Sequence, residues 1–309
     1  MRRPRRRFAQ ALGWLLALLA LTSAGNAIAG SLRYCDKPPP VSAEQKDRIL
    51  RTSDAVKAEL ERSGQSAVLL SRSGLNLRRF QQRYSHAGFS LRSNTEVPWA
   101  VRQLYYACDE KRPRIFDQGI SGFLLGTDDP NEGYVSAVFL PEAAAAALEQ
   151  IALDKQQALN LLSPSYSANA YPFSLLYQNC NQWALEVLAA ALGAPTSALA
   201  TEEARGSAQR WLLEKSYAPS EFRVSHALQW AGHFVKWVHR DDHPQENVAR
   251  RRYLVTMPAS IETFIRDNLP GATRVEFCHN AQHIVIHRGW DAIADHCTPA
   301  GQDTVIKLD

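Results

Sequence analysis

Beyond its first 29 residues the chain has no apolar run long enough to cross a bilayer as a helix, which argues against a membrane-spanning mature protein. It also lacks a charge excess of either sign once its leading segment is set aside. The sequence has 35 Lys+Arg against 31 Asp+Glu, but Arg2, Arg3, Arg5, Arg6 and Arg7 all lie in that segment. Without them 30 basic residues face 31 acidic ones, a formal charge of −1. The basic balance therefore belongs to the leader, and a nucleic-acid partner attracted by charge is excluded. There is no internal repeat, and low complexity is confined to "KPPP" at 37–40 and "AAAAA" at 143–147. Cysteine is sparse: Cys35, Cys108, Cys180, Cys278 and Cys297 are all there is.

What the leader does contain is a charged "MRRPRRRF", an apolar "ALGWLLALLALT" and a small-residue "AIA" before Gly30. That order reads as a cleaved export signal, residues 1–29, cut after Ala29, and as a periplasmic or secreted location. Arg5-Arg6-x-Phe8 also resembles a twin-arginine signal. In an oxidising compartment five cysteines leave one thiol over. Cys278 with Cys297 is the expected first pair, being close in sequence, and Cys35 with Cys108 the second.

About 280 residues then remain, one large domain or one and a half small ones. Ser42 and Gln45 form a capping-box pattern that opens a helix to about Arg62, ended by Gly64. "SAVLLSR", "YSHAGFSLRS", "WAVRQLYYA" and "YVSAVFL" read as strands, the last followed by a helix from Pro141 to about Leu153. A loop "SPSYSANAYPFS" leads into a helix from Cys180 to Gly193. Further on, Thr201–Lys215 and "HALQWAGHFVKWVH" read as helical, and the stretch from Tyr253 as strand, helix, strand, strand. A soft boundary near residue 200 divides residues 30–200 from 201–309, the latter an extension of the same sheet or a small companion module.

The chemistry concentrates in "YQNCNQWALEVLAAALG" at 177–193. Trp183, Ala184, Val187, Leu188 and Ala191 form one helical stripe with Cys180 at its N-terminal end. Free N–H groups and the helix dipole there stabilise a thiolate, and Asn179 is the candidate cap. The competing reading is a buried cysteine packed with Trp183. Strand alternation puts His86, with Tyr84, Gly88 and Ser90, on the face opposite Ala87, Phe89 and Leu91. Gly88 leaves room beside His86 for backbone or substrate. A hairpin around "SNTE", in the register that faces His86 with Gln103, supplies an orienting amide. Such an amide holds one imidazole nitrogen and leaves the other to take a thiol proton.

The order of "SHAGF", a polar residue on the next strand, and "NCNQWALEVL" resembles the circularly permuted papain-like hydrolases of the NlpC superfamily. "RSGLNL", "YSHAGF", "AYPFSLLYQNCNQWALE" and "DDHP" resemble more closely a bacterial family, domain of unknown function 2145. The resemblance implies an α+β fold with a permuted papain-like core, its antiparallel sheet packed on the Cys-bearing helix. It also implies Cys180 as nucleophile, His86 as base and Gln103 as third member. Gln103 departs from the His or Glu more usual there, and a neutral amide stabilises imidazolium less than a carboxylate would. Tyr84, Tyr177, Gln178 and Asn179 are the candidate substrate contacts. The implied activity is that of an exported cysteine hydrolase or acyltransferase acting on an amide or ester of the cell envelope, in peptides or acyl groups, without a cofactor. Two alternatives stand beside it. One is a non-catalytic envelope binding or scaffold protein with an unreactive Cys180. The other is a metal-dependent hydrolase using His239, Asp241 and His243 of "HRDDH".

Overall fold

In the computed structural model, residues 41–196 and 199–308 are described; the segment expected to be an export signal and Cys35 lie outside them. All described residues fall within one compact unit, Pro38–Asp309.

The chain starts with α1 (Ala43–Ser63). The Ser42 hydroxyl accepts from the Gln45 N–H, and the Gln45 side chain accepts from the Ser42 N–H at 2.8 Å. Gly64 ends the helix in the left-handed conformation, φ 72°, which costs a residue without Cβ little. There follow β1 (Ala67–Arg72), β2 (His86–Leu91), β3 (Val101–Ala107), β4 (Arg112–Gln118), α2 (Ile120–Leu125) and β5 (Gly133–Phe139). Next come α3 (Glu142–Leu153), α4 (Lys155–Asn160), α5 (Cys180–Ala191) and α6 (Thr201–Glu214). The remainder is β6 (Ser220–Arg223), α7 (His226–Ala231), α8 (Gln245–Ala249), β7 (Arg252–Val255), α9 (Pro258–Asn268), β8 (Thr273–His279), β9 (His283–Arg288) and β10 (Thr304–Lys307).

The result is an α+β fold around one eight-stranded antiparallel sheet in the order β10-β9-β8-β5-β1-β2-β3-β4, with β6 and β7 as a separate pair. Three strands after residue 200 thus extend the sheet to which β1–β5 belong. On one face Val68, Leu70, Val135, Ala137 and Phe277 pack with Ile49, Val56 and Leu60 of α1 and Phe123 of α2. On the other, Phe89 meets Trp183 of α5, ring centroids 6.3 Å apart. β5, at the middle of the sheet, is buried at every position. Covered on both faces, it needs no polar side, which is why its sequence alternates so poorly.

Several elements escape the sequence pattern. β4 carries Pro113, which reads as a breaker, but β4 is an edge strand and can spare an N–H. "HALQWAGHFVKWVH" was expected to be helical throughout, yet α7 stops at Ala231 and only a 3₁₀ turn, Gly232–Phe234, follows. Its second half turns away to bind a neighbouring loop: the Trp237 carbonyl accepts from Ala168 N–H at 2.8 Å, and His239 N–H donates to Ser167 Oγ at 3.1 Å.

The expected pair Cys278–Cys297 is a disulfide closing a separation of 19 residues. It packs with Tyr84, Tyr134, Val285 and Ile293. Cys108 is also disulfide-bonded, while Cys35, the partner expected for it, lies outside the described residues. Cys180 is the free thiol among the described residues.

Candidate active site

α5 begins where the sequence places it, and for the expected reason. The Asn179 side chain accepts from Gln182 N–H at 2.7 Å, closing the first turn and leaving Cys180 at its start. Cys180 is only 7% exposed. Burial pushes its thiol up to about 11. The Asn181 and Cys180 backbone N–H groups, the Arg72 guanidinium and the Tyr166 hydroxyl pull the other way. The sulfur therefore rests as a neutral thiol among groups that would stabilise an anion.

His86 is the first residue of β2, paired with Arg72, the last of β1. Its ring lies against Phe123, centroids 5.7 Å apart, and Nε2 is hydrogen-bonded to Gln103 Oε1. Gln103 Nε2 in turn donates to Gln118 Oε1 at 2.9 Å. That relay fixes the Gln103 carbonyl as the acceptor, so Nε2 carries the proton and Nδ1 has the free lone pair. Burial, then the positive charge of Arg72, holds the imidazole down at about 3, with the Gln103 bond opposing.

The β2–β3 register is not the one expected. Phe89 pairs with Arg102 and Ser90 with Val101, a shift of two residues that continues to bring Gln103 opposite Gly88. An even shift keeps Gln103 on the His86 face, so the contact survives on a diagonal. Gly88 makes the diagonal possible: a Cβ there would lie 2.8 Å from the Arg102 carbonyl oxygen and 3.1 Å from Gln103 Cβ.

The residues next to Cys180 and His86 are joined by a hydrogen bond. Asn181 Nδ2 donates to the Ser85 carbonyl at 3.2 Å and to the Thr256 carbonyl at 3.3 Å, joining residues 96 apart in sequence. Arg72 acts electrostatically on both groups. The side chains make no hydrogen bond to each other among the described residues. His86 leans toward the α1–α2 side of the sheet and α5 lies on the Phe89 side.

The other expected site residues lie elsewhere or carry structural duties. Tyr84 precedes β2, is buried, and its hydroxyl is held by Glu276 and Arg274, away from Cys180. Gln178 is buried, accepting from Ser163 N–H at 2.9 Å and donating to Glu186 at 2.6 Å. Asn179 is spent on the cap. Tyr177 stacks on His239 at 4.3 Å and donates to Asp241 at 3.1 Å. His243 Nε2 bonds the Asn169 carbonyl at 2.8 Å, and Asp242 accepts from Tyr171 N–H at 2.7 Å. "HRDDH" thus braces the loop before α5, and no group of three or more potential metal ligands is found among the described residues. Three contributors were not read from the sequence: Arg72, Tyr166 and Asn181. Arg72 looks like an ordinary strand end. Tyr166 is one of several aromatics in a loop. Only Asn181, in "NCN", sat beside a residue already singled out.

Among known proteins, a family model described as "Uncharacterized protein conserved in bacteria (DUF2145)" matches residues 59–265. No curated protein and no solved structure matches the chain. No helix of the described residues is long and apolar enough to cross a membrane.

Proposed function

The chain belongs to this bacterial family of uncharacterised proteins, and from that footing we propose that it is a thiol-dependent acyl-transfer enzyme, a hydrolase or acyltransferase, on a permuted papain-like core. The observation that carries the reading is the Asn181–Ser85 bond, which brings the start of α5 to the start of β2 while Gln103 holds the far nitrogen of His86. Residues 30–200 carry Cys180, His86 and Gln103, and residues 201–309 form the extension.

In the reaction, closure around a substrate brings His86 Nδ1 to the thiol and takes its proton. Apo sites of this kind often tighten only with substrate in place. The thiolate adds to an amide or ester carbonyl, and the oxyanion is met by the Cys180 N–H and the Tyr166 hydroxyl. Collapse breaks the C–N or C–O bond, the leaving amine or alcohol takes the proton from the imidazolium, and water or an acceptor amine resolves the thioester. An exported, periplasmic or secreted site of action fits two features: the leader cut after Ala29, and disulfides at Cys278–Cys297 and Cys108. Envelope peptides or acyl groups are then the substrates at hand.

A second reading, an envelope binding protein with an inert thiol, is favoured by one observation: Cys180 and His86 rest neutral and unbonded to each other. Chloroacetamide alkylation at neutral pH, followed by intact mass, separates the two. The catalytic reading expects Cys180 labelling to slow about tenfold or more in His86→Ala and less in Gln103→Ala, on the scale of general-base effects. Equally slow labelling in all three proteins rejects catalysis and leaves the binding protein. Loss of amine release from purified peptidoglycan in Cys180→Ala would then identify the substrate as peptide.

A further inference from the structure

The segment 222–240, "FRVSHALQWAGHFVKWVHR", supplies none of Cys180, His86 and Gln103 and has an unusual composition. It contains no Asp or Glu, three cations in Arg223, Lys236 and Arg240, and the aromatics Phe222, Trp230, Phe234 and Trp237. Trp230 and Phe234 are each 67% exposed, and they stack edge-on with ring centroids 4.9 Å apart. Leaving two adjacent large rings in water forgoes burial that most soluble proteins would use.

The element presenting them is anchored. Ser225 caps α7, Gln229 Nε2 donates to the Val248 carbonyl at 2.9 Å and to the Tyr253 hydroxyl at 3.0 Å, and the Trp237 carbonyl accepts from Ala168 N–H. The rings therefore project from a held scaffold. Within the segment the charge has one sign, with Glu221 and Asp241 just beyond its two ends. Arg223 is paired with Glu221 at 2.6 Å, but Lys236 is exposed, and Arg240 donates to the His233 ring on its own loop. Amphipathic aromatic rings flanked by cations suit the headgroup level of an anionic bilayer, where the ring bodies meet acyl chains and the cations meet phosphates.

We propose that residues 222–240 dock the protein on an anionic phospholipid surface, with Trp230 and Phe234 entering the interface and Lys236 and Arg240 facing the headgroups. The anchored loop is the one that ties to residues 167–169, next to Tyr166, so docking would set the candidate active site close to the membrane. The docking itself does not depend on the thiol chemistry.

The test is co-sedimentation of the purified mature protein with vesicles containing phosphatidylglycerol and with vesicles of phosphatidylcholine alone, at low salt. Wild type is expected to bind the anionic vesicles, with a blue shift in tryptophan emission, and to bind the zwitterionic ones at least about tenfold less. Trp230→Ala/Phe234→Ala is expected to lose about tenfold or more in binding with an unchanged circular dichroism spectrum, since both rings are exposed. Lys236→Glu should weaken binding and reduce its salt dependence. Absence of wild-type sedimentation overturns the proposal, as do equal binding to both vesicle types or an undiminished double variant. Concentration-dependent self-association that the double variant abolishes would give the patch to a second copy of the chain, and likewise overturns it.

Discussion

At the scale of single residues the arrangement turns on Gly88. The His86 strand and the Gln103 strand approach so closely that any Cβ at position 88 would meet the Arg102 carbonyl oxygen at 2.8 Å. Gly88→Ala should therefore cost about 1–3 kcal/mol, the usual range for overpacking, and should move Gln103 off His86. Urea unfolding measures the first effect, and the Cys180 alkylation rate measures the second. A stable variant with an unchanged alkylation rate would show that the diagonal His86–Gln103 contact does not depend on this close approach.

At the scale of elements, α5 is the part that the sequence described best. Its cap, its start at Cys180 and its apolar stripe are local features, set by residues three and four apart, and such spacing survives folding unchanged. What could not be read locally is that the polar side of α5 is buried as well. Glu186 lies fully inside, holding Arg205 of α6 at 2.9 Å together with Gln178, Gln182 and Gln209. A glutamate in mid-helix looks like a solvent face until the neighbour that neutralises it is known. The same limit explains the register: alternation put Gln103 on the correct face, but the two-residue shift came from a close approach over Gly88, set by tertiary packing. It explains β4 as well, whose Pro113 is tolerable only because nothing pairs beyond it. Removing one half of the buried pair, as in Glu186→Ala, should cost about 3–5 kcal/mol because Arg205 is left uncompensated. Glu186→Met with Arg205→Met should recover a large part of that loss. Denaturant midpoints for the two variants decide the matter; a double variant as weak as the single would mean that the pair's hydrogen bonds, rather than its charge, hold α6.

At the scale of the whole molecule, the sheet interior dictates a pH dependence. His279, at 3% exposure, has an Nδ1 with no hydrogen-bond partner, and burial, then the nearby Arg48 guanidinium, pushes its imidazole down to about 4. The folded protein keeps this group neutral, whereas the unfolded chain takes up its proton below about 6.5. Its contribution is therefore intact above about 6.5 and is lost as pH falls from there towards about 4. Melting temperatures measured between neutrality and pH 4.5 should fall, and should fall less steeply in His279→Asn. An equal slope in both proteins would assign the acid loss to other buried groups, His86 first among them, whose imidazole is likewise held down.

The strand order has a practical consequence for anyone cutting this gene product at the limits of its family. The match ends at residue 265, inside α9 and ahead of β8. Yet β5 is hydrogen-bonded to β1 on one side and to β8 on the other. A polypeptide stopped there would turn the most water-shielded strand of the molecule into an open margin of unpaired amides and carbonyls, free to recruit further chains and precipitate.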